Sequence, residues 1–255
     1  MTLEAATTPQ SGVLDIPVGW RQGPGAYGGL VVASLMRAAE QAIGDPARAI
    51  RSVTAEIPAP VEPGRGDFDV EILRAGKSVT TARVALKQAG ETRAHAVVIV
   101  ATDRPNSMSW NELAPPAAPS FASLPSMPTD GPFPEFAQQF DFRIVEGIPA
   151  AGKPGACIGW VKARAAGSRF DAAYLAAMID VWFPAALVYA KEMRPMATIS
   201  FTLEVIDAAN LRDEPLLYRA VSPVTADSYS FETRELWTAE GRLLARNHQT
   251  FVIIK

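Results

Sequence analysis

One order of elements is written twice along this chain, and few architectures accommodate that. A glycine-rich turn leads into an apolar helix expected over 28–43, and Asp171, a good helix-capping residue, opens a second helix expected from about Ala172. Tyr27 and Asp171, the residues at the two helix starts, stand 144 positions apart. Only strand-like segments follow each helix: 50–57, 68–74, 79–88 and 94–101 in the first half, then 197–206, 216–222, 229–237 and 243–254 in the second. The turns joining the last two strands also correspond, Gln88-Ala89-Gly90-Glu91 against Thr238-Ala239-Glu240-Gly241. A repeat of this length means two fused copies of one small domain rather than a solenoid of short units.

Between the copies the stretch 105–134 holds eight prolines, too many for a helix or a central strand. Trp110, Leu113, Phe121 and Leu124 within it argue for an ordered strap on the surface rather than a free tether. The expected division is a first unit over 1–104, a linker over 105–135 and a second unit over 136–255.

The two helices differ from ordinary surface helices. The first carries Val31, Val32, Leu35, Met36, Ala38, Ala39 and Ile43; the second carries Leu175, Ala176, Met178, Ile179, Trp182 and Phe183. Apolar surface this wide demands burial around most of the circumference. By contrast, Asp67-Phe68-Asp69-Val70-Glu71-Ile72 alternates as a half-buried strand does. A long helix wrapped by a curved antiparallel sheet meets both demands. The expected fold is therefore α+β, a double hotdog with two antiparallel sheets each wrapping a central helix. Its exposed sheet edges and repeat interface lead us to expect a homo-oligomer.

Composition narrows the function. The net charge of −3 across 255 residues favours neither nucleic acid nor a membrane surface. No uncharged apolar run approaches the roughly 20 residues of a membrane span, and residues 1–10 lack a signal-peptide core. Cys157 is the only cysteine and cannot form an internal disulfide, which fits a reducing compartment. We expect a cytoplasmic protein.

Gly23-Pro24-Gly25-Ala26-Tyr27-Gly28 spells G-x-G-x-x-G, with Asp45 further on. A dinucleotide site needs further βα units and a parallel sheet, whereas consecutive strands follow this helix. The turn reads instead as a seat for the helix start. Its free N–H groups face either a carbonyl or phosphate oxygen, or nothing more than close packing. His95 and His248 both lie in strand patterns without a second ligand at metal spacing, so no metal and no cofactor are expected. No G-x-S-x-G is present. Asp180 sits in an apolar helix segment, where a carboxylate is costly unless hydrogen-bonded. The 144-residue offset pairs it with Met36, so only one copy carries an acid there.

Several of these segments are similar to the bacterial acyl-CoA thioesterase II family. Tyr27-Gly28-Gly29-Leu30-Val31-Val32 resembles its aromatic-Gly-Gly-Gln-Val-Val helix start, with Leu30 in place of Gln. The run from Asp69 to Ser78 resembles its Arg-Asp-Gly-Arg-Ser strand and turn, with Ala75 in place of Asp. Asp180-Val181-Trp182-Phe183-Pro184, Met196-Ala197-Thr198-Ile199 and Glu240 through Gln249 resemble three segments of its second half. The resemblance covers nearly the whole chain. It implies an acyl-CoA substrate, a hydrolytic water held by Asp180, Thr198 and Gln249, and substrate contacts at Tyr27, Gly28 and Gly29. Two alternatives stay open, a non-catalytic acyl-CoA-binding protein and an enoyl-thioester hydratase.

Overall fold

The computed structural model describes residues 1–104, 108–131 and 133–254. Pro105 and Pro132 of the linker fall outside them. The first half runs α1 (Leu3–Thr7), β1 (Val13–Ile16), the small hairpin β2 (Arg21–Gln22) and β3 (Gly25–Ala26), α2 (Gly28–Ile43), then β4 (Ala49–Glu56), β5 (Gly64–Ala75), β6 (Val79–Gln88) and β7 (Glu91–Ala101). The second runs β8 (Phe140–Glu146), β9 (Cys157–Ala163), α3 (Ala172–Ile179), α4 (Ala186–Tyr189), then β10 (Met196–Val205), β11 (Leu216–Ala226), β12 (Tyr229–Trp237) and β13 (Leu243–Ile253).

The helix α2 forms where expected. Nothing in Gly28–Ile43 breaks a helix after its first turn, and Gly44 ends it in the left-handed region at φ 64°. Every residue from Gly29 to Ala39 is buried, as the all-round apolar pattern requires. Each large side chain of this group, such as Leu35 or Met36, contributes about 1.5–3 kcal/mol through removal from water.

The expected pair of sheets is instead a single sheet. Eleven strands lie in the order β1-β5-β6-β7-β4-β10-β13-β12-β11-β9-β8. Every pairing among the described residues is antiparallel. The halves join where β4 pairs with β10, Ala55 opposite Phe201 and Val53 opposite Leu203. Left apart, β4 and β10 would each present an unpaired edge of N–H and C=O groups. Outward from the seam the order is β4, β7, β6, β5 on one side and β10, β13, β12, β11 on the other, so the repeat survives within the continuous sheet. The helix α2 packs on β4 to β7, α3 on β9, β10, β12 and β13, and the two helices on each other.

Two further expectations need correction. The second helix stops at Ile179, before Trp182 and Phe183. Pro184 disfavours helical geometry at the residue before it, and Asp180 closes the helix as its C-cap. The short α4 then precedes the strands. In the linker, Phe121 and Leu124 pack against Trp160, Trp237 and Leu217 on the outer face of the second half. The Trp160 indole donates to Pro119 O at 2.9 Å, and Arg143 donates to the carbonyls of Phe121 and Leu124. Trp110, in contrast, is 73% exposed and anchors nothing in the core. No helix among the described residues is long and apolar enough to cross a membrane.

Candidate active site

Asp180 leaves the last turn of α3, its own N–H donating to Ala177 O at 3.3 Å. Its carboxylate points into the interior and is 7% exposed. Oδ1 accepts from Gln249 Nε2 at 2.7 Å and from Arg234 Nη1 at 3.0 Å. Gln249 Oε1 accepts in turn from the Thr198 hydroxyl at 3.2 Å. The second Gln249 amide bond goes to Asn247 Oδ1 at 2.9 Å. Three residues remote in sequence thus form one hydrogen-bonded chain from Thr198 through Gln249 to Asp180.

A sheet irregularity makes this possible. Phe201 stands opposite Gln249 and Ser200 opposite Thr250, but Thr198 stands opposite Phe251. The extra residue, Ile199, is bulged out and 38% exposed. In unbroken register Thr198 would oppose Val252 and face away from the helices, because side chains alternate between faces. The bulge returns it to the inner face beside Gln249, a use of bulges common near functional sites.

The first half supplies the other wall. Gly28 and Gly29 begin α2, where N–H groups lack intrahelical partners and the helix dipole favours negative charge. A Cβ on Gly28 would lie 2.7 Å from Asp180 Oδ2, and one on Gly29 would lie 2.9 Å from Asp180 Cβ. The glycines allow a helix start to approach a carboxylate that any side chain would displace. Tyr27, fully buried, stacks on Phe136 at 4.5 Å between ring centroids. Its hydroxyl has no hydrogen-bond partner among the described residues. Leu30 is fully buried one turn further along. Thr198 and Gly28 are only half-buried, in contrast to Asp180 and Gln249.

Electrostatics favours a carboxylate of altered basicity. Burial raises the Asp180 carboxyl above its ordinary range, while Arg234, the Gln249 amide and the Gly29 N–H pull it back down. Burial, with the charge of Asp180, drives the Tyr27 hydroxyl well above the usual tyrosine value, so it keeps its proton.

Arg234, Glu232 and Asn247 were not singled out from the sequence. In the sheet Glu232 faces Gln249 and Arg234 faces Asn247, so four polar side chains tile the inner surface under Asp180. The available signal was an inverted alternation on β12, where Phe231 is exposed while Glu232 and Arg234 are buried. The histidines lie elsewhere: His95 pairs with Glu56 at 3.2 Å, and His248 is exposed on the outer face. No cluster of three or more metal-ligating side chains occurs among the described residues.

One large antiparallel sheet cradling central helices defines a hotdog-fold protein, and solved structures agree. A conserved hot dog fold protein of unknown function from Alicyclobacillus acidocaldarius aligns with a TM-score of 0.88 at 23% identity, over 99% of this chain and 98% of that one. A protein assigned as a thioesterase II from Thermobifida fusca gives 0.85 at 23% identity over 100% and 98%. The acyl-CoA thioesterase II TesB2 of Mycobacterium marinum gives 0.78 at 22% identity over 99% and 98%. Among curated proteins none matches. The sequence profile of the acyl-CoA thioesterase N-terminal domain matches residues 16–102, and that of the C-terminal domain matches residues 115–253. The chain belongs to the acyl-CoA thioesterase family.

Proposed function

We propose that this protein hydrolyses acyl-CoA to a free acid and CoA. Asp180 acts as general base, and Thr198 and Gln249 hold the attacking water with it. The observation that carries the reading is the hydrogen-bonded chain from Thr198 to Asp180, set against the glycine start of α2. Asp180 Oδ1 is already engaged by Gln249 and Arg234, which leaves Oδ2, on the Gly28 side, for the water. The water oxygen attacks the thioester carbonyl carbon as its proton passes to Asp180. The C–S bond then breaks and the electron pair leaves on sulfur. A thiol of pKa about 8.5 needs no strong acid to depart. The Gly29 N–H holds the Asp180 carboxylate, the free Gly28 N–H meets the developing oxyanion, and the proton-bearing Tyr27 hydroxyl lines the acyl side. On this reading units 1–104 and 136–255, strapped by 105–135, are the two copies of a double hotdog.

Thiol release from short, medium and long acyl-CoAs tests the reading. Loss of general-base catalysis in Asp180→Asn should lower turnover by about 10²–10⁴-fold. Turnover within threefold of wild type would remove Asp180 from the mechanism. The near-closure of the site, with Gln249 only 3% exposed, favours one second reading, an acyl-CoA-binding protein without turnover. Saturable binding with no free thiol is its signature. Hydration of an enoyl thioester draws no support, since neither histidine lies at this site.

A further inference from the structure

Glu232 and Arg234 occupy successive inward positions on β12, 2% and 1% exposed. Arg234 Nη1 donates to Ile179 O at 3.1 Å and to Asp180 Oδ1 at 3.0 Å, and its Nε donates to Glu232 Oε1 at 2.7 Å. Glu232 Oε2 accepts the Ala185 N–H at 2.6 Å. The two side chains therefore grip both ends of the segment 180–185. Between those ends Trp182 stacks on Tyr218 at 5.4 Å between centroids and meets Phe142 edge-on at 5.3 Å. The guanidinium carbon also lies 5.2 Å from the Phe251 ring centroid, so the cation is fixed on its open side too.

Buried ion pairs are a poor way to stabilise a fold, because apolar replacements of similar volume often do as well or better. Three charged groups packed here, with one cation serving two carboxylates, call for another reason. We infer that Glu232 and Arg234 are positioning residues, a clamp that holds the Asp180 carboxylate in one orientation against Gln249 and the start of α2. The inference rests on the reading of Asp180 as the base. Among the described residues no other charged side chain pairs with Asp180, Glu232 or Arg234. The titratable groups around it are Tyr27 at the start of α2, Tyr174 on α3, Tyr218 on β11 and Cys157 on β9, all raised by burial and neutral through the working range.

Two variants test the clamp. Arg234→Lys keeps the charge but not the fork that reaches three acceptors. It should lower kcat at least about tenfold with KM within threefold, and leave the acid limb of the pH–rate profile nearly in place. Glu232→Gln combined with Arg234→Met removes both charges and leaves neither orphaned. Asp180 then loses the cation that pulls its pKa down, and because the base must be deprotonated, the acid limb should move up by about one unit or more. A readout independent of turnover is the ¹³C carboxyl titration of Asp180, assigned by its loss in Asp180→Asn, which should move the same way. Wild-type kcat in Arg234→Lys, or an unshifted Asp180 titration in the double variant, would overturn the clamp. If the wild-type protein releases no thiol from any acyl-CoA, the proposed reaction fails while the carboxyl titration still decides the clamp. If the double variant does not fold, the kcat and KM of Arg234→Lys decide it.

Discussion

A single methyl group is enough to disturb the contact between the two halves of the site. At position 28 it would stand 2.7 Å from an Asp180 oxygen, and at position 29 within 3 Å of Asp180 Cβ, Ala177 O and the Tyr27 ring. Gly29→Ala should therefore cost about 1–3 kcal/mol of stability, read as a drop in urea midpoint. Gly28→Ala meets only the carboxylate and Ile57, so it should fold near normally yet lose at least about tenfold in thiol release, the loss falling on kcat. Asp180 itself makes a second prediction. Its folded pKa is raised above the usual 3.8, so its contribution to stability is full below the unfolded pKa and is lost as pH rises through the folded value. Asn cannot ionise, so the thermal midpoint of Asp180→Asn should gain on wild type as pH rises from 4 toward neutrality. A constant difference across that range would contradict the raised pKa. Asp180, Thr198 and Gln249 were legible through the company they keep in the sequence. Arg234 and Glu232 were not, because an alternating charged strand ordinarily reads as a solvated face.

Among the elements, α2 was legible to its ends because its burial is complete and Gly44 stops it. The end of α3 was not, since Val181-Trp182-Phe183 continues the apolar pattern while the backbone has already turned at Asp180. The bulge at Ile199 left no trace either; Thr198 and Ile199, both β-branched, suit a regular strand as well. Strands β8 and β9 escaped notice because Gly147, Gly152, Pro154 and Gly155 crowd the segment between them. The capping role expected of Asp171 is met by a 2.8 Å bond from the Tyr174 N–H. Asp171 also faces Arg37, a buried cation on α2, at 3.4 Å. Asp171→Ala should thus cost about 2–4 kcal/mol, the lost cap plus an uncompensated buried charge. Asp171→Asn should cost less, since its side-chain oxygen still caps. Denaturant titration of both variants separates the two contributions: equal losses would show that the cap adds nothing, and a loss within about 0.5 kcal/mol in Asp171→Asn would show that the charge adds nothing.

For the whole molecule, the repeated order of elements was legible from spacing, but the joining into one sheet was not, because nothing in β4 or β10 taken singly names its partner. The seam pairs residues 52–56 of β4 with 200–204 of β10 and is backed by α2 against α3. The N-terminal helix crosses it, with the Leu3 and Glu4 N–H groups donating to Ala165 and Ala166 carbonyls at 2.8 and 3.0 Å. Such a structure should unfold as one unit. Amides of β6 and β7 should lose hydrogen-exchange protection at the same urea concentration as those of β12 and β13. Separate midpoints would mean that the halves are independent.

The start of α2 belongs to the first half of the chain and Asp180 to the second, so neither half alone holds both walls of the candidate site. The position 144 residues before Asp180 holds Met36, fully buried, beside an Arg37 that donates to Thr8 Oγ1, Glu4 O and Asp171. With no acid at that position, a chain that loses Asp180 has no counterpart in its first half to take over the place.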